Sequence, residues 1–270
     1  MKKIAFIGAG AMAEAVLAGL VNKKYLPNEQ IAVTNRENEE RLIEIQEKYG
    51  VSVSGDKSIV LKDADVVFIA TKPYDIESAL QDVKPFVNDN QLFISVVAGI
   101  STTYIEEILE VSAPIIRSMP NTSATIGLSA TAIAKGIKAS DEHVQIAADI
   151  FSAIGTVSIV EEEEMHIVTA ISGSGPAYIY YFVEAMQEVA EEAGLSKEVA
   201  EQLINQTVIG AGTMLSESSL PAATLRENVT SPNGTTAAGL ETLAAHHFQE
   251  AIKACVTSAK NRSIALGKEK

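Results

Sequence analysis

The stretch Lys3 to Leu20, KIAFIGAGAMAEAVLAGL, constrains the fold of this chain more than any other. Ile4, Ala5, Phe6 and Ile7 read as a short buried strand, and the Ala- and Leu-rich run after Ala13 reads as a helix. Between them lies Gly8-Ala9-Gly10-Ala11-Met12-Ala13, spaced as G-x-G-x-x-G/A with Ala13 in the third place. Gly8 allows a tight turn, Gly10 lets backbone come close to a pyrophosphate, and a small third residue lets the helix pack on the strand. The unpaired N–H groups and positive dipole end of the helix would receive the phosphates. The same spacing can serve plain strand–helix packing, but a strand before it and a helix after it favour dinucleotide binding. Met-Lys-Lys before an apolar run also resembles a secretory signal. Gly8 and Gly10 interrupt that run and Glu14 falls inside its continuation, so the signal reading is rejected.

The segments that follow alternate strand and helix. Gln30 to Thr34 reads as a second strand ending in Asn35-Arg36, where NAD-specific proteins place an acidic residue on the ribose hydroxyls. A guanidinium there can pair with a 2′-phosphate and no carboxylate stands at the position to repel it, which favours NADPH over NADH. A charged helix follows from Glu39 to Lys48, then short strands at 51–53 and 65–70. The second of these runs into Thr71-Lys72-Pro73, a loop facing the cleft beyond the strand ends. By position alone Lys72 is equally a solvated loop lysine. Further strands at 92–97, ending at Ala98-Gly99, and from Ile115 into Met119-Pro120-Asn121-Thr122 continue the pattern. Strands at 127–134 and 155–160 bracket a helix from Asp141 to Ile154. Residues 1–160 are therefore expected to form a doubly wound α/β sheet.

Composition excludes several classes. A formal charge of −14 with no basic cluster argues against nucleic acid and anionic membrane partners. No apolar run is long enough to span a bilayer, and a cytoplasmic protein is expected. The single cysteine, Cys255, makes no internal disulfide, and the four histidines have no zinc spacing, so no metal is expected.

From the Glu161–Glu164 run to the end no convincing strand occurs. Helices are expected at about 164–193, 197–217, 222–227 and 237–266, so residues 161–270 form an all-α domain. Ala177 to Val183, AYIYYFV, is apolar around its whole circumference and needs cover on every side. A helical segment of this size cannot bury such a helix alone, and an intertwined homodimer is the expected remedy. Two loops stand out here. Ser172-Gly173-Ser174-Gly175-Pro176 opens the apolar helix, with Pro176 near its first position. Thr230-Ser231-Pro232-Asn233-Gly234-Thr235-Thr236 precedes the last long helix, where free N–H groups can seat a carboxylate. The first loop is equally explained as a capped helix start, and for the second, without the upstream glycine fingerprint, an N-cap with a turn is the favoured explanation.

In order along the chain, GAGAMA at 8–13, TKP at 71–73, MPNT at 119–122, SGSGPAY at 172–178 and NVTSPNGTT at 228–236 resemble pyrroline-5-carboxylate reductase. The resemblance implies a Rossmann-type domain at 1–160 and a helical dimerisation and substrate domain at 161–270, with rings of dimers in some members. It implies that Ile7, Gly8, Ala9, Gly10, Ala11, Met12, Asn35, Arg36, Ala70, Thr71, Lys72, Pro73 and Ala98 line the cofactor, with NADPH expected and NADH possible. Asn121 would lie near the nicotinamide and Asn228 would reach the cofactor. Ser231, Gly234, Thr235 and Thr236 would hold the substrate, 1-pyrroline-5-carboxylate, with the Thr236 hydroxyl near the ring nitrogen as the catalytic group. Two positions depart from the pattern: Asn233 where a glycine is expected, and Lys57 near where many members place an asparagine on the adenosine side.

The implied chemistry is hydride transfer from the cofactor to a cyclic imine, giving L-proline at the last step of its biosynthesis. A protonated imine is already activated, which suits a chain with no evident His/Asp or Lys catalytic pair. A β-hydroxy-acid dehydrogenase would want a lysine on the first long helix of the second domain, and residues 165–187 hold none. A regulatory paralogue that binds nucleotide without turnover finds footing only in Asn233. A purely structural dimerisation protein explains neither the glycine loop nor the threonine loop.

Overall fold

A computed structural model of the chain describes residues 1–268. The first half alternates β1 (Ile4–Ile7), α1 (Ala11–Asn22), β2 (Ile31–Thr34), α2 (Glu39–Tyr49), β3 (Ser52–Val53), α3 (Lys57–Leu61), β4 (Val66–Ile69), α4 (Ile76–Val83), β5 (Leu92–Ser95), α5 (Thr102–Leu109) and β6 (Ile115–Met119). It ends with β7 (Ser129–Lys135), α6 (Asp141–Ser152) and β8 (Gly155–Ile159). The sheet order is β3-β2-β1-β4-β5-β6-β7-β8.

Every residue of β1, β2, β4 and β5 is buried, because helices cover both faces of the sheet. Alternate side chains go to opposite layers. Ile4 and Phe6 join Val16, Leu17 and Leu20 of α1 and Ile150 and Phe151 of α6. Ala5 and Ile7 join Ile76 and Leu80 of α4 and Ile105 and Leu109 of α5. The rings of Phe6, Phe68 and Phe151 stack in series with centroids 4.8 and 5.8 Å apart. Each such ring, fully buried, contributes about 2–3 kcal/mol.

The expected winding holds through β6 and then reverses. Only a 3₁₀ turn at Thr122–Ile126 joins β6 to β7, too short for a crossover helix, so β7 runs antiparallel to β6. With α6 between them, β7 and β8 are parallel to each other.

The helical half comprises α7 (Met165–Val168), a π-helical turn at Thr169–Gly173, α8 (Gly175–Glu192), α9 (Lys197–Glu217), α10 (Ala222–Asn228), α11 (Thr235–Ala245) and α12 (Phe248–Lys268). The single helix expected at 237–266 is two helices. His247 takes a left-handed φ of 55° and breaks it, with no glycine or proline to announce the break. The helix expected at 164–193 is likewise interrupted by the π turn, with Pro176 as the second residue of α8.

Packing divides the chain into Met1–Pro176 together with the segment from Thr257 onward, and Ala177–Val256. The packing boundary lies past the expected residue 160 because the segment after β8 is tied to the sheet. Arg117 of β6, 3% exposed, pairs with Glu162 at 3.4 Å. Glu162 also accepts the Thr102 N–H at 2.8 Å and hydroxyl at 2.7 Å. Burial pushes the Arg117 guanidinium down and Glu162 opposes it. Met165 and Ala170 are fully buried in the same unit. At the other end of the chain Ser263 sits 3.0 Å from His166 Nδ1, and Gly267 meets Gly99 backbone to backbone. In the second unit the buried hydrophobic residues are Ala200 and Ile204, and Ile179, Tyr180, Tyr181 and Phe182 are exposed on the single chain.

Candidate functional site

The sheet changes winding direction between β1 and β4, and a crevice forms beyond the carboxyl ends of the strands on either side of such a point. Two hydrogen bonds fix the turn out of β1. The Gly8 N–H donates to the Thr34 carbonyl at 2.9 Å, and the Ala70 N–H donates to the Ile7 carbonyl at 2.9 Å. Gly8 has φ +104°, and a Cβ there would lie 2.5 Å from the Ala70 carbonyl oxygen, so no side chain fits. At Gly10 no protein atom lies within 4 Å of where a Cβ would stand. Gly10 is the N-cap of α1 and offers no side-chain cap, leaving the first N–H groups of the helix for another acceptor.

A cavity of about 200 Å³ occupies this crevice. It brings together Ile7, Gly8 and Gly10 from the first turn, Asn35 and Arg36 from the end of β2, and Ala70, Thr71 and Lys72 from the end of β4. Thr71 Oγ1 is buried without a hydrogen-bond partner among the described residues. The Asn35 side chain closes its own turn, accepting from the Asn38 N–H at 3.2 Å and donating to the Asn38 carbonyl at 2.6 Å. Arg36 stands at the rim, 63% exposed, 3.4 Å from Glu37 and 3.4 Å from Asp75. Lys57 lines the same cavity and pairs with Asp82 at 3.3 Å.

The opposite wall escaped the sequence reading. Asp75, Ser78, Ala79 and Asp82 lie at i, i+3, i+4 and i+7, one face along α4, and all four line the cavity. That spacing was the available signal, but a polar stripe on an amphipathic helix ordinarily faces water. A larger cavity of about 340 Å³ lies between Lys2, Lys3, Glu29 and Asp63, at the start of β1 rather than its end.

The other residues expected on the cofactor are placed differently. Ala9 and Met12 pack against the core under the sheet, and Pro73 is half-buried. Ala11 is exposed at the first position of α1. Ala98 packs beside Met119 and Met165. Asn121 is buried and its amide is engaged, accepting from the Ser123 N–H at 3.1 Å and donating to the Ser172 carbonyl at 3.2 Å. It joins the MPNT loop to the SGSGP loop.

The second unit carries the rest. Asn228 ends α10, and Thr230 turns back on it, its N–H donating to Glu227 O at 3.0 Å and its hydroxyl to Arg226 O at 2.6 Å. Asn233 takes a left-handed φ of 59°, a conformation asparagine tolerates, so its departure from glycine leaves the turn intact. The Gly234 N–H donates to Ser231 O at 3.0 Å, and α11 starts at Thr235 with no side-chain cap. Ser231, Thr235 and Thr236 are exposed and Gly234 half-buried. This is a helix start with uncapped N–H groups and two hydroxyls, suited to a carboxylate. Among the described residues no three His, Cys, Asp or Glu side chains gather as a metal site, and no helix is long and apolar enough to cross a membrane.

Comparison with known proteins finds a match in each half of the chain. Residues 162–266 match the family model described as pyrroline-5-carboxylate reductase dimerisation, and residues 3–99 match one described as NADP oxidoreductase, coenzyme F420-dependent. The chain is 45% identical to pyrroline-5-carboxylate reductase 1 of Bacillus spizizenii over 97% of its own length and 88% of the relative's. The structure of a pyrroline-5-carboxylate reductase from Coxiella burnetii superimposes with a TM-score of 0.91 at 37% identity, covering 98% of each chain. That of Plasmodium falciparum pyrroline carboxylate reductase with NADP bound gives 0.88 at 28% identity, again over 98% of each. With a relative 45% identical over nearly the whole chain and a dimerisation-domain match over residues 162–266, the chain belongs to the pyrroline-5-carboxylate reductase family.

Proposed function

We infer that this chain reduces 1-pyrroline-5-carboxylate to L-proline with NADPH, the last step of proline biosynthesis. The observation that carries the reading is near-full-length identity to reductases of that name, spanning the crevice and the threonine loop alike. Residues 1–160 act as the cofactor domain and 161–270 as the helical dimerisation and substrate domain.

The crevice fits a dinucleotide on its own terms. Gly8 leaves no room for a side chain, Gly10 leaves room for a ligand, and Thr71, whose buried hydroxyl has no partner among the described residues, lines the cavity with Arg36 at its rim. Gly8 to Met12 would hold the pyrophosphate through backbone N–H groups, and Arg36 would pair with a 2′-phosphate. Ile7, Ala70 to Pro73 and Ala98 would shape the rest of the contact. When bound, the nicotinamide supplies a hydride to the imine carbon. The Thr235 and Thr236 N–H groups seat the substrate carboxylate, with Ser231 and Gly234 shaping the loop. The Thr236 hydroxyl orients the ring nitrogen and maintains its proton. Asn121 holds the loop near the nicotinamide end and Asn228 reaches the cofactor. The working form is a homodimer, or a ring of dimers, in the cytoplasm.

Purified protein mixed with NADPH and racemic 1-pyrroline-5-carboxylate should oxidise the cofactor as proline appears, more slowly with NADH. Thr236→Ala should lower turnover about 10²-fold while NADPH affinity stays within about twofold. Cofactor binding with no turnover by the wild-type protein would overturn the reductase reading. Equal loss of turnover and affinity in the variant would make Thr236 structural.

A further inference from the structure

Arg41 belongs to none of the motifs and does not line the cavity, yet it reaches the glycine turn. It sits at the third position of α2, its own N–H accepted by the Asn38 side chain at 2.9 Å. From there Nε donates to the Ala9 carbonyl at 3.0 Å. Nη2 pairs with Glu14 of α1, and Nη1 with Glu44 at 3.0 Å. Glu14 also accepts the Lys48 ammonium at 2.9 Å and the Tyr49 hydroxyl at 2.8 Å. The Glu14 and Arg41 side chains are only 19% and 27% exposed. The Lys48 hydrogen bond, joined by those of Arg41 and Tyr49 and opposed by burial, holds the Glu14 carboxyl at about 2. Both halves of the Arg41–Glu14 pair are therefore charged throughout the neutral range.

A peptide unit is planar and trans, so its C=O and N–H point in opposite directions. The Ala9 carbonyl and the Gly10 N–H share one such plane. Drawing the carbonyl toward α2 turns the Gly10 N–H the other way, and Gly10 lines the cavity. No hydrogen bond from that N–H occurs among the described residues. The same helix start also fixes the second turn of the crevice, because Asn38 exchanges two hydrogen bonds with Asn35. One turn of α2 thus holds both loops on which a dinucleotide would lie.

We propose that Arg41 is a positioning residue for the cofactor: it holds the Ala9 carbonyl and thereby aims the Gly10 N–H at the pyrophosphate. The proposal rests on reading the crevice as the NADPH site. Arg41 touches no part of the nucleotide that distinguishes NADPH from NADH, so its loss weakens both by one factor. Arg36 differs, since a 2′-phosphate is what it would recognise.

Equilibrium titration separates the two roles. Wild type, Arg41→Met, Arg41→Lys and Arg36→Met are titrated with NADPH, NADH, ADP-ribose and 2′-AMP, and melting of each protein is followed without ligand. Arg41→Met should bind NADPH, NADH and ADP-ribose about tenfold more weakly and bind 2′-AMP, which has no pyrophosphate, as wild type does. Its KM for NADPH should rise by the same factor with kcat at saturation within about twofold. Arg41→Lys, which still offers a donor to the carbonyl, should recover part of the affinity. Unchanged NADPH affinity in Arg41→Met overturns the proposal. So does weakening confined to NADPH, or an equal loss of 2′-AMP with a lowered melting temperature. Wild-type protein that bound no NADPH would overturn the crevice assignment itself, and that failure is seen before any variant is compared.

Discussion

The two compact units use apolar residues in opposite ways. In the first, whole strands such as β1 and β4 are buried and the Phe6–Phe68–Phe151 series lies in the layer on one face of the sheet. In the second, α8 exposes Ile179, Tyr180, Tyr181 and Phe182, and α9 exposes Leu203, Ile209, Met214 and Leu215. A unit whose buried hydrophobic residues are Ala200 and Ile204 has no adequate core within one chain, and so large an exposed apolar surface marks an interface. The family match to a dimerisation domain over residues 162–266 points the same way, to an oligomer. The first unit buries its apolar residues within one chain; the second leaves most of them exposed on the single chain.

That contrast can be broken most forcefully at α8. Ile179→Glu combined with Tyr181→Glu should leave a monomer in sedimentation and lower activity by more than about 10²-fold. NADPH binding by the first unit should stay within about threefold. An intact oligomer would mean that the exposed face is not the contact. In the first unit the corresponding break is Gly8→Ala. The added methyl meets the Ala70 carbonyl at a left-handed φ, which should cost about 2–4 kcal/mol in urea unfolding and abolish NADPH binding without dissociating the oligomer.

The smallest effect sharpens the comparison by pH. Glu14 is held at about 2, well below its unfolded value, so its contribution is fully present above about pH 4.3. It is lost as pH falls from there through about 2. Between these limits the melting temperature of Glu14→Gln should converge on that of wild type, and a constant gap would show that the carboxylate's charge is not what stabilises the pair.

Much of this was legible in the sequence because it depended on local pattern. The buried strands stood out as short apolar blocks. The Gly8–Gly10 turn and the Asn228–Thr236 loop stood out as motifs in the right context. What stayed hidden depended on partners distant in sequence. Asp75 and Asp82 drew no notice in the sequence, and only the packing of α4 makes them one wall of the cavity. Arg41 looked like one charge among many on α2 until its side chain met Ala9, thirty-two positions away. The boundary at 176 follows from Arg117 and Glu162, forty-five positions apart. The antiparallel β7 turned on a connection whose length was visible but whose direction was not. The split between α11 and α12 had no glycine or proline to mark it.

The contact of Gly267 with Gly99 has a bearing on how the protein is made. A Cβ on Gly267 would stand 2.6 Å from the Gly99 carbonyl oxygen, and Ser263 one turn earlier reaches His166. Both belong to the unit that includes the sheet, yet they are synthesised after every residue of the second unit. The nascent sheet can form early, since each of its strands is already out, but its covering is completed only after the whole second unit has been made. In between, the helices of the second unit emerge with their apolar faces bare beside other growing chains, so the order of translation itself favours pairing with a sister polypeptide before the first unit has closed.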